Sequence, residues 1–362
     1  MIIPNGHSRL LAIMSWVPDL SDMISSALIS ALWASLSLAY SVDAAPSTAH
    51  QTSTSDPAAV FNMTMFAPGR EPGVYSSNFS RLVMFGDSLS DNGNGTGVLS
   101  NGTRPNPDLF WKYRWSNGPV WIEDLAERMD VPLFDYASGG ATVNNTRTPA
   151  YLTNVTRRVP SALEQIDAFI SLTNSSSGRN PLDDTLFAIW IGSNDLFAKI
   201  ESNLSFTGAD LVRDTFIGIE KLQAAGAKHF VINNIYDIGR PFVDLMGSEV
   251  ASVMTNSLID YNNALYSEID AQASAVQNAT LPTAEFVVVD TWVAAKAILS
   301  QPQAYGLANE TIGRRCVIGS SICSDPDSYF YWDAIHPTRV VHSLFAKAVA
   351  ATLLRAGWIS RK

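Results

Sequence analysis

The chain has 362 residues, 46% of them apolar, enough to bury a full core and suited to one large α/β domain with additions. Charged residues make up only 16%, and the formal net charge is −10. An acidic chain without a Lys/Arg run is poorly suited to nucleic acid or to an anionic membrane surface, so a neutral substrate is the expectation.

The first informative segment runs from Ile24 to Tyr40 and is apolar or small, with Ser41-Val42-Asp43-Ala44-Ala45-Pro46 after it. Val42 and Ala44 fit the small-residue rule before a cleavage point, so residues 1–45 are read as a signal-peptide region. The run is short for a span and rich in Ser, which argues against a retained membrane anchor. Asp19 and Asp22 precede it, an odd composition for the start of a signal, and Met23 is read as the true start. Residues 46–78 begin small, polar and Pro-containing and read as a flexible lead-in to a domain at 79–358. Asn-x-Ser/Thr sequons stand at Asn62, Asn78, Asn94, Asn101, Asn144, Asn154, Asn174, Asn203, Asn278 and Asn309, which points to N-linked glycans and an extracellular destination.

From Arg81 short apolar runs alternate with amphipathic stretches. Leu82–Phe85 is the first expected strand, and Gly86-Asp87-Ser88-Leu89-Ser90-Asp91 follows it. A helix is expected at Pro119–Met129, a strand at Val131–Tyr136, then Ala137-Ser138-Gly139-Gly140-Ala141. Trp111, Tyr113, Trp115 and Trp121 serve either a sugar site or packing, and composition does not choose between them. The helix at Ser161–Leu172 carries Ile166, Phe169 and Ile170 on one face. The strand Leu186–Ile191 leads into Gly192-Ser193-Asn194-Asp195. A helix at Gly208–Ala225, with Leu211, Phe216, Ile219 and Leu222 inward, precedes the strand Phe230–Ile235. A helix at Glu249–Val276 and the strand Phe286–Val289 come next. Cys316 and Cys323, with six residues between them, are expected to close a small loop in an oxidising compartment; scattered histidines make a metal pair the poorer reading. Asp333-Ala334-Ile335-His336 precedes a closing helix at Val340–Leu354, in which His342 is expected to pack or support the loop.

Strands of near-continuous apolar composition, alternating with helices, predict right-handed crossovers and a parallel sheet covered on both faces. The expected architecture is a flavodoxin-like, three-layer α/β/α sandwich with a five-stranded parallel sheet. Ligands of such sheets lie beyond the carboxyl ends of the strands, which here carry Ser88, the Gly139-Gly140 pair and Asn194. Each motif alone also fits a plain turn, a helix cap or a surface pair. Together a hydroxyl, a backbone donor, a side-chain amide and an Asp/His pair supply what acyl transfer needs.

Phe85-Gly86-Asp87-Ser88-Leu89-Ser90-Asp91 resembles the first block of the SGNH/GDSL hydrolases. Gly139-Gly140, Gly192-Ser193-Asn194-Asp195 and Asp333-Ala334-Ile335-His336-Pro337 resemble the remaining blocks in order, and Ser116-Asn117-Gly118-Pro119-Val120-Trp121 resembles a stretch of plant and fungal members. The resemblance implies Ser88 as nucleophile, His336 as base, Asp333 as its orienting carboxylate, and an oxyanion hole of Ser88 N–H, Gly140 N–H and the Asn194 amide. Gly139 replaces Gly140 if that block is shifted by one. Ser90 stands where the second Gly of a Gly-x-Ser-x-Gly elbow would be, which separates the chain from the α/β-hydrolases. The implied enzyme is a secreted, cofactor-independent serine esterase without a stable membrane span after signal cleavage. Its expected substrates are short acyl esters of carbohydrates, as in fungal acetylesterase-like members. A lipase or lysophospholipase is the alternative reading, and a non-catalytic extracellular binding protein a third.

Overall fold

A computed structural model describes residues 73–152, 158–174, 181–239, 243, 246–277 and 284–362. The expected signal region, the position of Met23 and sequons Asn62, Asn154 and Asn278 lie outside the described residues, as does the side chain of Asn174.

The central sheet consists of β2 (Arg81–Gly86), β3 (Leu133–Asp135), β4 (Thr185–Trp190), β5 (His229–Asn233) and β6 (Glu285–Val289). Their order is β3-β2-β4-β5-β6, and every neighbouring pair is parallel. The central strand β4 is buried along its whole length, as its unbroken Thr-Leu-Phe-Ala-Ile-Trp composition requires. Phe187 stacks between Phe85 and Phe230, and Phe230 stacks on Phe286, so one aromatic row crosses β2, β4, β5 and β6.

Helices cover both faces. On the face of that row lie α2 (Ala162–Asn174) and α4 (Gly208–Ala224), through Phe169 and Phe216. The long α5 (Ser248–Gln277) packs on α4 and on α3 (Ser193–Ser202). Trp190, three residues after Phe187, points to the opposite face, where it meets Trp121 of α1 (Trp121–Met129) and Phe345 of α7 (Arg339–Arg355). Helix α6 (Thr291–Ser300) packs against α7 and is capped by the Asp290 carboxylate, which accepts a hydrogen bond from Val293 N–H. The three-layer α/β/α arrangement matches the sequence expectation, and the predicted inward residues of α2 and α4 are buried or packed against the core.

Three features differ from the sequence reading. The second strand is three residues long rather than six, and Phe134 in it is about half exposed. It forms the sheet edge, so its composition overstates its burial. Helices α3 and α6 were not anticipated. The first has only Leu196, Phe197 and Ile200 facing the core in ten residues, and the second is apolar almost throughout, so neither gives a long amphipathic pattern. The expected domain limits at 79 and 358 leave out a two-stranded antiparallel pair formed by β1 (Tyr75–Ser77) and β9 (Ile359–Arg361). Tyr75 and Ile359 are buried there, so the end of the lead-in is part of the domain.

Cys316 and Cys323 form a disulfide that closes the small hairpin β7 (Val317–Ile318) and β8 (Ser321–Ile322). The hairpin holds the chain just before Asp333: Cys316 N–H donates to Tyr331 O at 3.1 Å and Val317 N–H to Trp332 O at 2.8 Å. Closing so short a loop is worth about 2 kcal/mol of chain entropy. The paired substitution Cys316→Ser with Cys323→Ser is therefore expected to lower the unfolding free energy by about 2 kcal/mol, read from urea denaturation. An unchanged midpoint would contradict this account.

Candidate active site

Ser88 lies in the turn after β2, beyond the carboxyl end of the sheet. Gln165 of α2 clamps the start of that turn from the side. Its Nε2 donates to Gly86 O and its Oε1 accepts from Gly86 N–H, both at 2.9 Å. Ser90 N–H and Asp91 N–H donate back to Asp87 O at 3.0 Å, winding the chain tightly around Ser88. The Ser90 hydroxyl accepts from the indole of Trp121 at 2.9 Å, which ties the turn to α1.

His336 reaches Ser88 from 248 positions away. Its Nε2 stands 2.8 Å from Ser88 Oγ, and its Nδ1 stands 2.7 Å from Asp333 Oδ2. The other Asp333 oxygen accepts the backbone N–H of Ile335 at 2.9 Å and of His336 at 2.8 Å. Burial alone would raise the Asp333 carboxyl, but the facing His336 and these donors outweigh it and hold it below the ordinary range. The carboxylate therefore stays ionised and fixes the imidazole with Nε2 turned to Ser88. The Trp115 indole packs over the His336 ring at 5.0 Å between centroids. Ser116 Oγ donates to Pro337 O at 2.9 Å and Tyr236 Oη to Ile335 O at 3.1 Å, so the segment carrying Asp333 and His336 is bonded on both sides.

Asp91 organises the other half of the site. Its buried carboxylate accepts Gly93 N–H at 2.8 Å, Gly95 N–H at 3.1 Å, Thr96 N–H at 2.8 Å, Thr96 Oγ1–H at 2.6 Å and Gly139 N–H at 2.9 Å. The two glycines after β3 serve different ends. A Cβ on Gly139 would lie 2.2 Å from the Trp115 indole nitrogen, and Gly140 adopts φ +82°, a left-handed backbone. The Gly139 N–H is taken by Asp91 and Thr96, whereas the Gly140 N–H has no acceptor among the described residues. Of the two alternatives, Gly140 thus carries the available donor.

Asn194 lies in the first turn of α3, and Gly192 before it takes φ +116° to turn the chain from β4 into that helix. One N–H of the Asn194 amide donates to Ala141 O at 2.9 Å, leaving the second. The next residue, Asp195, accepts Val143 N–H at 2.9 Å, so α3 holds the Gly140 loop in place. Ser88, Gly139, Gly140, Asn194 and His336 all border one cleft of about 430 Å³, together with Trp115, Arg104 and Tyr151. Every site residue expected from the sequence therefore meets in one place. Asp91, Gln165 and the position of Trp115 were not assigned a role. The Gly93/Gly95 turn after Asp91 was the one available signal; Gln165 has none, because its partner is 79 positions away. Among the described residues no cluster of His, Cys, Asp and Glu suited to a metal ion is present.

The family model described as GDSL-like Lipase/Acylhydrolase matches residues 82–349. An acetylesterase of Thermothelomyces thermophilus is 28% identical over 284 residues, spanning 74% of this chain and 86% of the relative. A thermolabile hemolysin of Vibrio parahaemolyticus is 24% identical over 305 residues, spanning 79% of this chain and 66% of that protein's length. A solved structure of an acetyl xylan esterase from Geobacillus stearothermophilus aligns with a TM-score of 0.40 and 13% identity, over 78% of this chain and 97% of the other.

Behind the site, fully buried His342 accepts Trp121 N–H on Nδ1 at 3.3 Å and joins α7 to α1. Burial, with the neighbouring His336 adding to it, pushes its pKa down to about 3. An unfolded histidine titrates near 6.5, so the folded form resists a proton that the unfolded chain takes up. Stability from His342 is present above about pH 6.5 and is lost as the pH falls toward 3. The variant His342→Asn keeps an acceptor for Trp121 without titrating, so its stability is expected to fall less than the wild type's between pH 7 and pH 4. Parallel urea-denaturation curves for the two proteins across that range would refute the assignment.

Proposed function

The chain belongs to the GDSL-like lipase/acylhydrolase family, a family of carboxylic ester hydrolases, and from that premise we propose that it works as a secreted serine esterase with Ser88 as nucleophile. The observation that carries this reading is the continuous chain of bonds from Ser88 Oγ through His336 to Asp333 at the open end of the parallel sheet.

In this mechanism Ser88 Oγ attacks the ester carbonyl carbon while His336 Nε2 takes its proton. Asp333 stabilises the imidazolium that forms. The carbonyl oxygen, now an oxyanion, is received by the N–H groups of Ser88 and Gly140 and by the free N–H of the Asn194 amide. His336 then protonates the leaving alcohol, and a water activated by the same imidazole releases the acid. Comparable oxyanion donors are each worth a few kcal/mol of barrier. The chemistry uses only side chains and backbone, and no cofactor enters it.

The proposed substrates are short acyl, chiefly acetyl, esters of carbohydrates. The acetylesterase among the relatives supports this. An extracellular location is supported by the signal-like segment at Ile24–Tyr40 and by the exposure of Asn78, Asn94, Asn101, Asn203 and Asn309 within their sequons. The Asn144 amide instead donates to Asp214 at 3.1 Å and is the sequon least suited to a glycan. Endoglycosidase treatment of the protein produced in a eukaryotic secretory host is expected to lower its mass, and an unchanged mass would remove the glycan proposal.

The decisive experiment is turnover of p-nitrophenyl acetate by the wild type and by Ser88→Ala. The variant is expected to lose at least about a thousandfold in kcat with an unchanged circular dichroism spectrum. A retained rate removes Ser88 from the mechanism. Across p-nitrophenyl esters of rising acyl length the wild type is expected to prefer acetate. A preference for long chains would replace the carbohydrate ester by a lipid.

A further inference from the structure

Ser88 stands between two depressions. The first is the cleft of about 430 Å³ already described. The second, about 250 Å³, shares Ser88, Asn194 and His336 with it and continues beneath Leu89, Phe197, Ile238 and Ile335. When a serine oxygen adds to an ester carbonyl, the tetrahedral carbon carries three further substituents: the oxyanion, the acyl chain's carbon and the alcohol oxygen. The Gly140 and Asn194 donors fix the first. The two depressions take the other two, and their chemistry decides which takes which.

The second depression has aliphatic and aromatic walls and little room. Phe197 lies three residues after Asn194 on α3, on the same side of the helix, and is only 6% exposed. Asp87 also borders the space; it is 1% exposed, and its Oδ2 has no hydrogen-bond partner among the described residues. Such a slot accepts a methyl group and rejects longer chains. The first depression is wider and is rimmed by Arg104 and by Tyr151, which is 65% exposed. An aromatic face and a guanidinium suit the apolar ring face and the hydroxyls of a sugar, and Trp115 lines the wall between them and His336.

We propose that Phe197 is the residue that sets acyl length: the acyl group enters the depression beneath Phe197 and Ile238, while the alcohol lies in the cleft beside Trp115 and Tyr151. This rests on the reading of Ser88 as nucleophile. It adds to that reading which side of Ser88 each half of the ester occupies and which side chain limits the acyl half.

The test compares kcat/KM for p-nitrophenyl butyrate and acetate in the wild type, Phe197→Leu, Ile238→Ala and Tyr151→Ala. One or two methylenes in an apolar pocket are worth about tenfold or more in discrimination. The butyrate-to-acetate ratio is expected to rise about tenfold in Phe197→Leu and in Ile238→Ala, and to stay at the wild-type value in Tyr151→Ala. Tyr151→Ala is expected to raise KM for an acetylated xylo-oligosaccharide instead. Ile238→Ala guards against a Phe197 variant that fails to fold, with circular dichroism as the check. A wild-type ratio in both folded variants overturns the assignment, as does a ratio that shifts only in Tyr151→Ala. A wild type that hydrolyses no acetate, or a Ser88→Ala variant that still does, overturns the parent reading instead, so the two failures are distinct.

Discussion

The site depends on the buried carboxylate of Asp91. Five donors converge on it, four from the turn that follows Ser88 and one from Gly139. A buried carboxylate is tolerable only when its charge is met by hydrogen bonds, and here those bonds come from two segments nearly fifty residues apart. The turn after β2 and the turn after β3 are therefore locked together. That lock has a chemical consequence at the next residue. Gly139 N–H is committed inward and Gly140 turns through a left-handed conformation, with its N–H without an acceptor among the described residues.

The opposite side of the cleft is built on a similar plan, with backbone bonds around the Asp333/His336 pair as well as at it. The disulfide hairpin accepts and donates no proton in the proposed chemistry, yet it holds Tyr331 and Trp332 directly ahead of Asp333. Trp332 N–H donates to His336 O at 2.7 Å, closing the loop on itself. Trp115 then covers the imidazole face and keeps water from it. Preorganisation of this kind matters because donors and bases held in place need no rearrangement as charge develops. Burial is tolerated at Asp333 because the carboxylate accepts three hydrogen bonds. It is tolerated at His342 because the ring stays neutral.

The sequence carried much of this in recognisable form. The inner strands read correctly because a strand covered on both faces must be apolar throughout, and Leu186–Trp190 is. Helices α2, α4 and α5 read correctly because each pairs a core face with a solvent face. The reading failed where those regularities lapse. Edge strand β3 is half exposed, α6 has no polar stripe, and α3 offers an apolar face of only three residues. The β1–β9 pair joins segments near the two ends of the domain, and no local pattern announces it.

By itself the sequence determined the α/β class and the residue types available for acyl transfer, because periodicity and strand-end motifs are local properties. It also determined that Cys316 and Cys323 stand close enough in the chain to pair. Tertiary structure decided what depends on distances between remote segments. It brought His336 to Ser88, committed the Gly139 N–H to Asp91 while the Gly140 N–H has no acceptor among the described residues, and placed Phe197 and Tyr151 on separate depressions that both border Ser88. Hydrogen-bond satisfaction in a buried site is a three-dimensional constraint, and it is invisible until the chain has closed on itself.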